Sequence, residues 1–98
     1  MDFEWDDKKA EQNLRKHNVR FTEAATTWLD SNAIEIPDPK HADNEDRWIR
    51  LGVSNQLRVL VVVYVEKVED QLCRIISARK ADSSEQAQYL KEFSSYEE

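Results

Sequence analysis

The side chains best equipped for chemistry lie in three short stretches. Arg79 and Lys80 emerge at the end of the apolar run within residues 72–85, LCRIISARKADSSE, where a guanidinium and an ammonium could hold an anion. A solvated or ion-paired Arg-Lys pair fits the same spelling. Lys16 and His17 close a stretch rich in basic residues, and His41 sits with Lys40, Asp43, Glu45 and Arg47 in and beside the longest polar connection of the chain. An unperturbed imidazole titrates near neutral pH, so that connection could support acid–base chemistry. His17 fits equally well as a helix-end histidine, whose charge suits the negative end of the helix dipole. The His, Asp and Glu spacing around His41 matches no established zinc or calcium site, so neither a metal nor a cofactor is expected. Cys73 lies inside an apolar run with no partner for a disulfide and reads as a small buried hydrophobe rather than a nucleophile.

Local pattern supplies the elements that must position these groups. Ile75 and Ile76 cannot both face one side of a pleat, so residues 72–79 read as a strand covered on both faces. Asp82 and Glu85 have capping-box spacing, which starts a helix over about 83–93 with Ala87, Leu90 and Phe93 against the sheet. Residues 94–98 read as a frayed acidic tail. At the other end, Phe3, Glu4 and Trp5 alternate as an edge strand or packed arm. Asp6 or Asp7 caps a helix that runs to His17, with Ala10, Leu14 and His17 as its stripe and Asn18 as its stop. Thr22 caps a second helix to about Leu29 that buries Ala24, Ala25, Trp28 and Leu29.

Ile34 and Ile36 then alternate as a short strand stopped by Pro37. Residues 47–54 put Ile49, Leu51 and Val53 on one face and Trp48, Arg50 and Gly52 on the other. Residues 57–66, LRVLVVVYVE, are the most β-branched and read as the central strand. The predicted fold is α+β: two N-terminal helices, an antiparallel meander of about four strands and a C-terminal helix, with the helices against one face of the sheet.

A chain of 98 residues makes one domain with a single core. Its net charge of −6 excludes a protein that captures nucleic acid through its overall field. Such a role needs a local cluster of Lys, Arg and His, or a partner that brings the substrate, and the acids could equally dock a basic protein. No apolar run has the length of a membrane span, and the start MDFEWDD lacks the regions of a signal peptide. The cytoplasm is the expected location.

Three stretches also carry a family resemblance. FEWDDKKAEQNLRKHNVRFTEAA at 3–25, DPKHADNEDRWIRLGVS at 38–54 and RIISARKADSSEQAQY at 74–89 closely resemble the BrnT family of bacterial toxins, within the wider RelE/ParE-like superfamily. The likeness runs over nearly the whole chain in the family's order. It implies a RelE-like fold and a type II toxin whose ribonuclease activity halts translation. It also implies a BrnA-like antitoxin with a ribbon-helix-helix DNA-binding part, through which the complex represses its own operon, and a pairing of two toxins with two antitoxins.

On that basis the residues acquire roles. RNA cleavage without a metal needs a base for the ribose 2′-hydroxyl, a donor for the leaving 5′-oxygen, and positive charge for the pentavalent phosphate. Arg79, in the ISAR stretch, is the candidate for phosphate stabilisation, because guanidinium matches phosphate oxygens as a fork. Lys16 and His17 match the family's KH pair, and His41, Glu45 and Arg47 match its H-x-x-x-E-x-R run. Either histidine could move the proton, Glu45 could orient a histidine or act as base, and Lys16, Arg47, Lys67 and Lys80 are candidates to bind substrate.

The chain departs from the family at Ala42, where Ser often follows the loop histidine, and at Val65-Glu66-Lys67, where Thr-x-Arg is common. The first change at the latter site deletes a hydroxyl and the last loses a bidentate fork. Two alternatives therefore stand beside the nuclease: a catalytically weak subunit that pairs with a DNA-binding antitoxin in autorepression, and a topoisomerase poison, which fold analogy alone permits.

Overall fold

The computed structural model describes residues 1–40, 46–67, 69 and 71–95. The order of elements is β1 (Asp2–Glu4), α1 (Asp7–His17), α2 (Phe21–Ala25) continued by a 3₁₀ turn (Thr26–Leu29), β2 (Ile34–Pro37), β3 (Arg47–Val53), β4 (Val59–Lys67), β5 (Leu72–Lys80) and α3 (Ser83–Ser95). Asp6 caps α1 by accepting from the Lys9 amide at 3.1 Å. Asn18 ends it in the left-handed conformation at φ 58°, which a short polar side chain tolerates. The second helix begins at Phe21, one residue before the expected Thr22 cap, and no side chain caps it.

The strands form one five-stranded sheet in the order β1-β5-β4-β3-β2. The meander β2 to β5 is antiparallel, but β1 adds to β5 in parallel, so the sheet is mixed rather than wholly antiparallel. The Ile75-Ile76 doublet is accommodated by a register shift: Val63 faces Ser77 and Tyr64 faces Ile75, which leaves Ile76 as an extra residue in β5. Ile75 is buried and Ile76 half-buried; a bulge, not two covered faces, explains the pair.

Helices cover both faces, which corrects the expected one-sided arrangement. On the inner face, Val19, Phe21 and Ala24 pack with Leu60, Val62, Ile75 and Ala78, and Phe3, Trp5, Ala10 and Trp28 flank them. On the outer face, Ala81 and Tyr89 pack with Leu51 and Val61, beside Ile34, Ile49, Val53 and Val59. In α3 the buried contact is Tyr89; Ala87 and Leu90 are exposed, Leu90 at 59%, and the Phe93 side chain lies outside the described residues. Leu29 is likewise 86% exposed, because the 3₁₀ turn rotates it away from the face that Trp28 occupies.

Three polar devices fix the layers. The Asn13 amide, buried on α1, donates to Ala78 O at 2.8 Å and to Val19 O at 2.9 Å, while its oxygen accepts from the Ala78 amide at 3.0 Å. Under the 3₁₀ turn, the buried Arg50 guanidinium donates to Thr27 O, pairs with Glu35 at 2.7 Å and lies 4.7 Å from the Trp28 ring centroid. Beside it Gly52 leaves room for the turn, since a Cβ there would come within 3.2 Å of Ala33 Cβ and 3.3 Å of Thr27 Cβ. At the far end of the inner face, buried Glu23 accepts from Ser54 Oγ at 2.6 Å and Arg58 Nε at 2.9 Å. Burial raises its carboxyl pKa, but these donors outweigh that and hold it below the ordinary value.

Removing the Asn13 amide strands three buried backbone groups, so Asn13→Ala should lose about 3 kcal/mol of stability in a denaturant titration. An unchanged midpoint would show that the amide closes nothing.

The outer helix is held by Tyr89, whose hydroxyl donates to Asp30 Oδ2 at 2.6 Å. Burial and that carboxylate push the phenol up from 10.0 to about 12. A folded pKa raised above the unfolded one contributes stability that is complete below pH 10 and lost as pH rises towards 12. The thermal midpoint of the wild type should therefore fall over that interval more than that of Tyr89→Phe; parallel curves would refute the link.

Candidate functional site

Residues directly opposite each other on neighbouring strands point to the same face, and the register lays three rows across the outer face. Glu4, Arg74, Val65 and Arg47 form the first, Ser77, Val63, Ile49 and Ile36 the second, and Arg79, Val61, Leu51 and Ile34 the third. The third row lies beside Tyr89 and Ala81, which pack on Leu51 and Val61. The second row is a floor of half-buried Ser77, Val63 and Ile49, with Ile36 50% exposed at its edge. Four residue steps along β4, from Val65 to Val61, separate the first row from the third, a distance of about 13 Å.

Cations border this floor. Arg79 stands at one side, and Arg74, Arg47 and Lys67 at the other. Glu4 is shared between Arg74 Nε at 2.8 Å and Lys67 Nζ at 3.3 Å, and the Arg74 bond is the main reason its carboxyl lies below the ordinary value. Arg79 donates through both terminal nitrogens to Glu85, at 2.7 and 2.9 Å. Glu85 also accepts from the Asp82 amide at 2.9 Å, and Asp82 accepts from the Glu85 amide at 2.8 Å. The capping box is thus formed as the spacing predicts, and its glutamate is at the same time the partner of Arg79.

Lys16 and His17 approach from the β5 edge. With Lys9, Gln12, Asn13, Ile76 and Ser77 they line a groove of about 260 Å³ between α1 and the bulge. Ser77 belongs both to this groove and to the middle row, two residues from Arg79. The structure therefore brings His17, Lys16, Ser77 and Arg79 to one side of the sheet, and Arg47, Arg74 and Lys67 to the other end of the same face.

Lys80 is separated from Arg79. It is paired in register with Leu60 of the inner face and contributes charge near Glu23, so the basic pair of the sequence does not act as one cluster. His41 and Glu45 lie outside the described residues. The connection that carries them leaves from the Arg47 end, where the Asp38 amide donates to Arg47 O at 2.9 Å.

Val65 is buried in the first row, so the position where the family has Thr serves the core here. Cys73 is buried, and desolvation pushes its thiol up to about 11, in keeping with an inert residue. Among the described residues, no group of three His, Cys, Asp or Glu side chains is placed to hold a metal ion, and no helix is long and apolar enough to cross a membrane.

Two contributors escaped the sequence reading. Arg74 carries the right charge, but alternation alone puts it on the face opposite Arg79, and only the bulge between them brings it to the cationic border. Asn13 is an ordinary polar residue on a helix until the β5 edge is seen beside it.

A family profile described as the ribonuclease toxin BrnT of type II toxin–antitoxin systems matches residues 5–85. Among solved structures, the crystal structure of the Brucella abortus ribonuclease toxin BrnT matches with a TM-score of 0.65 and 25% sequence identity, covering 85% of this chain and 99% of that one. No curated protein sequence matches.

The Arg79 pairing is the main reason the Glu85 carboxyl lies below its ordinary value. Replacing Arg79 by Met should move the Glu85 carboxyl upward in a carbon-13 NMR titration. A titration identical to wild type would mean that the pair does not persist in solution.

Proposed function

Since the chain belongs to the BrnT family of ribonuclease toxins of type II toxin–antitoxin systems, we propose that it cuts RNA internally without a metal, at the β5 side of the outer sheet face. The groove shared by Ser77, His17 and Lys16, with Arg79 two residues along β5 on the same face as Ser77, supports this reading. In the reaction the 2′-oxygen attacks the adjacent phosphorus as its proton passes to a base, and the bond to the 5′-oxygen breaks as that oxygen gains a proton. Arg79 supplies charge to the pentavalent phosphate. His17, on the groove that Ser77 shares, or His41 exchanges the protons, with Glu45 as orienting group or base. Lys16, Arg47 and Lys67 hold the phosphate backbone; Lys80, on the inner face, is at most a distant contributor to the field.

The cationic border answers the difficulty posed by the acidic chain. Arg47, Lys67, Arg74 and Arg79 occupy one face of a protein whose net charge is −6. At physiological salt, charges act over about 8 Å, so a bound RNA responds chiefly to this face. The same reading includes cytoplasmic arrest of translation, membership of the RelE/ParE-like superfamily, and neutralisation by a BrnA-like ribbon-helix-helix antitoxin. That antitoxin would join two toxins to two antitoxins and carry the complex to operator DNA.

One observation favours the second reading, a weak or inactive toxin subunit. Border cations already hold carboxylates: Arg79 with Glu85, and Arg74 and Lys67 with Glu4.

Purified, antitoxin-free protein should cleave RNA in the presence of EDTA. Arg79→Ala should retain the wild-type circular dichroism and lose on the order of 10²–10³ in rate, the effect of removing a donor to developing negative charge. No cleavage by the wild type, with translating ribosomes supplied, would select the antitoxin-pairing subunit.

A further inference from the structure

Glu85 does more at the start of α3 than cap it. Its carboxylate is fixed from the backbone side by the Asp82 amide, and Asp82 is fixed in turn by the Glu85 amide and by Ser84 Oγ at 2.8 Å. Both carboxylate oxygens then meet Arg79, at Nη1 and Nη2, while Nη1 also donates to Lys80 O at 3.3 Å. A guanidinium has five N–H donors in one plane. Glu85 and Lys80 O take three of them at the outer end of the fork. Among the described residues, Nε–H and the neighbouring hydrogen of Nη2 have no partner, and the side chain is 43% exposed. A phosphate can therefore still be held bidentately along the Nε–Nη2 edge while Glu85 stays in place.

We propose that Glu85 is a positioning residue for the ribonuclease reaction: anchored by the capping box, it fixes the plane of the Arg79 guanidinium and leaves the Nε–Nη2 edge for the RNA phosphate. The inference rests on the reading that Arg79 binds phosphate. Without Glu85 the arginine keeps its charge but regains side-chain freedom, so the loss is one of orientation.

Glu85→Gln separates this role from capping, because glutamine also serves as the third residue of a capping box while lacking the charge that holds Arg79. Single-turnover cleavage should fall on the order of 10–100-fold in Glu85→Gln, at an unchanged thermal midpoint. Adding this change to Arg79→Ala should cost nothing further, the mark of a residue acting through its partner. In nitrogen-15 NMR, the Arg79 Nε–H resonance of wild type should shift on addition of cleavage-resistant 2′-O-methyl RNA, and shift less in Glu85→Gln.

Wild-type cleavage by Glu85→Gln would reduce Glu85 to a cap and overturn the proposal. Faster cleavage or tighter RNA binding would make it a blocking residue, overturning the proposal equally. An Nε–H resonance unmoved by RNA in the wild type would also overturn it, whether or not the protein cleaves. Full cleavage by Arg79→Ala would remove both this inference and the phosphate role on which it rests, whereas a dead Arg79→Ala beside a fully active Glu85→Gln would remove this inference alone.

Discussion

The arrangement of the candidate site depends on how the open edge of β5 is closed. β1 pairs with β5 only from Leu72 to Arg74, and beyond that point a strand edge would leave amides and carbonyls without partners. Asn13 fills the gap at Ala78, giving one donor and one acceptor as a neighbouring strand would. Its remaining hydrogen holds Val19 O and so fixes the chain leaving α1. A helix pinned in this way cannot slide along the strand. One turn of displacement is about 5.4 Å, enough to carry Lys16 and His17 away from Ser77. The amide is thus a structural group whose position sets the groove where the imidazole lies.

The charges are sorted by face and by burial. On the inner face the strongest pairs are internal: Glu23 with Arg58, and Arg50 with Glu35, which also accepts from Tyr64 Oη. These charges are neutralised by neighbours and satisfy the ends of the 3₁₀ turn and the β3–β4 connection. On the outer face the paired groups are partly exposed, with Arg74 and Lys67 sharing one carboxylate. Exposed pairs contribute little to stability and can exchange partners. The inner arginines therefore serve the fold, while Arg74 and Lys67 can turn to a ligand without exposing a buried charge.

Much of this was legible because caps and strand periodicity are local. Asp6, Asn18 and the Asp82–Glu85 box mark helix ends through short-range hydrogen bonds, and the alternation in residues 47–54 sorts β3 correctly into two faces. Alternation also implies that Arg79 and Lys80 diverge, although their adjacency suggests a joint cationic corner. The Ile75-Ile76 doublet misled because one extra residue absorbs what looks like two-sided burial. Leu29, Ala87 and Leu90 misled because apolar character does not say which face finds a neighbour. Asn13 and the Glu85–Arg79 pair were invisible for another reason: each depends on a contact made only after the chain has folded back. The parallel addition of β1 is of the same kind, since nothing within three residues indicates which strand they will join.

The placement of α3 follows from two attachments of different character. At its start, the capping box and the Arg79 pair tie the first turn to the end of β5. Farther along, Tyr89 packs against Leu51 and Val61 and donates to Asp30, joining the helix to the end of the 3₁₀ turn. These points lie beside the third row of the sheet, so the helix borders the Ser77–Val63–Ile49 floor. The exposed Leu90 shows that the helix is not held by a full apolar stripe. Its position instead relies on directional bonds, and one of those bonds ends on the guanidinium that faces the floor. Helix start, sheet edge and cation are therefore mechanically one unit, which gives Arg79 a defined orientation despite its exposure.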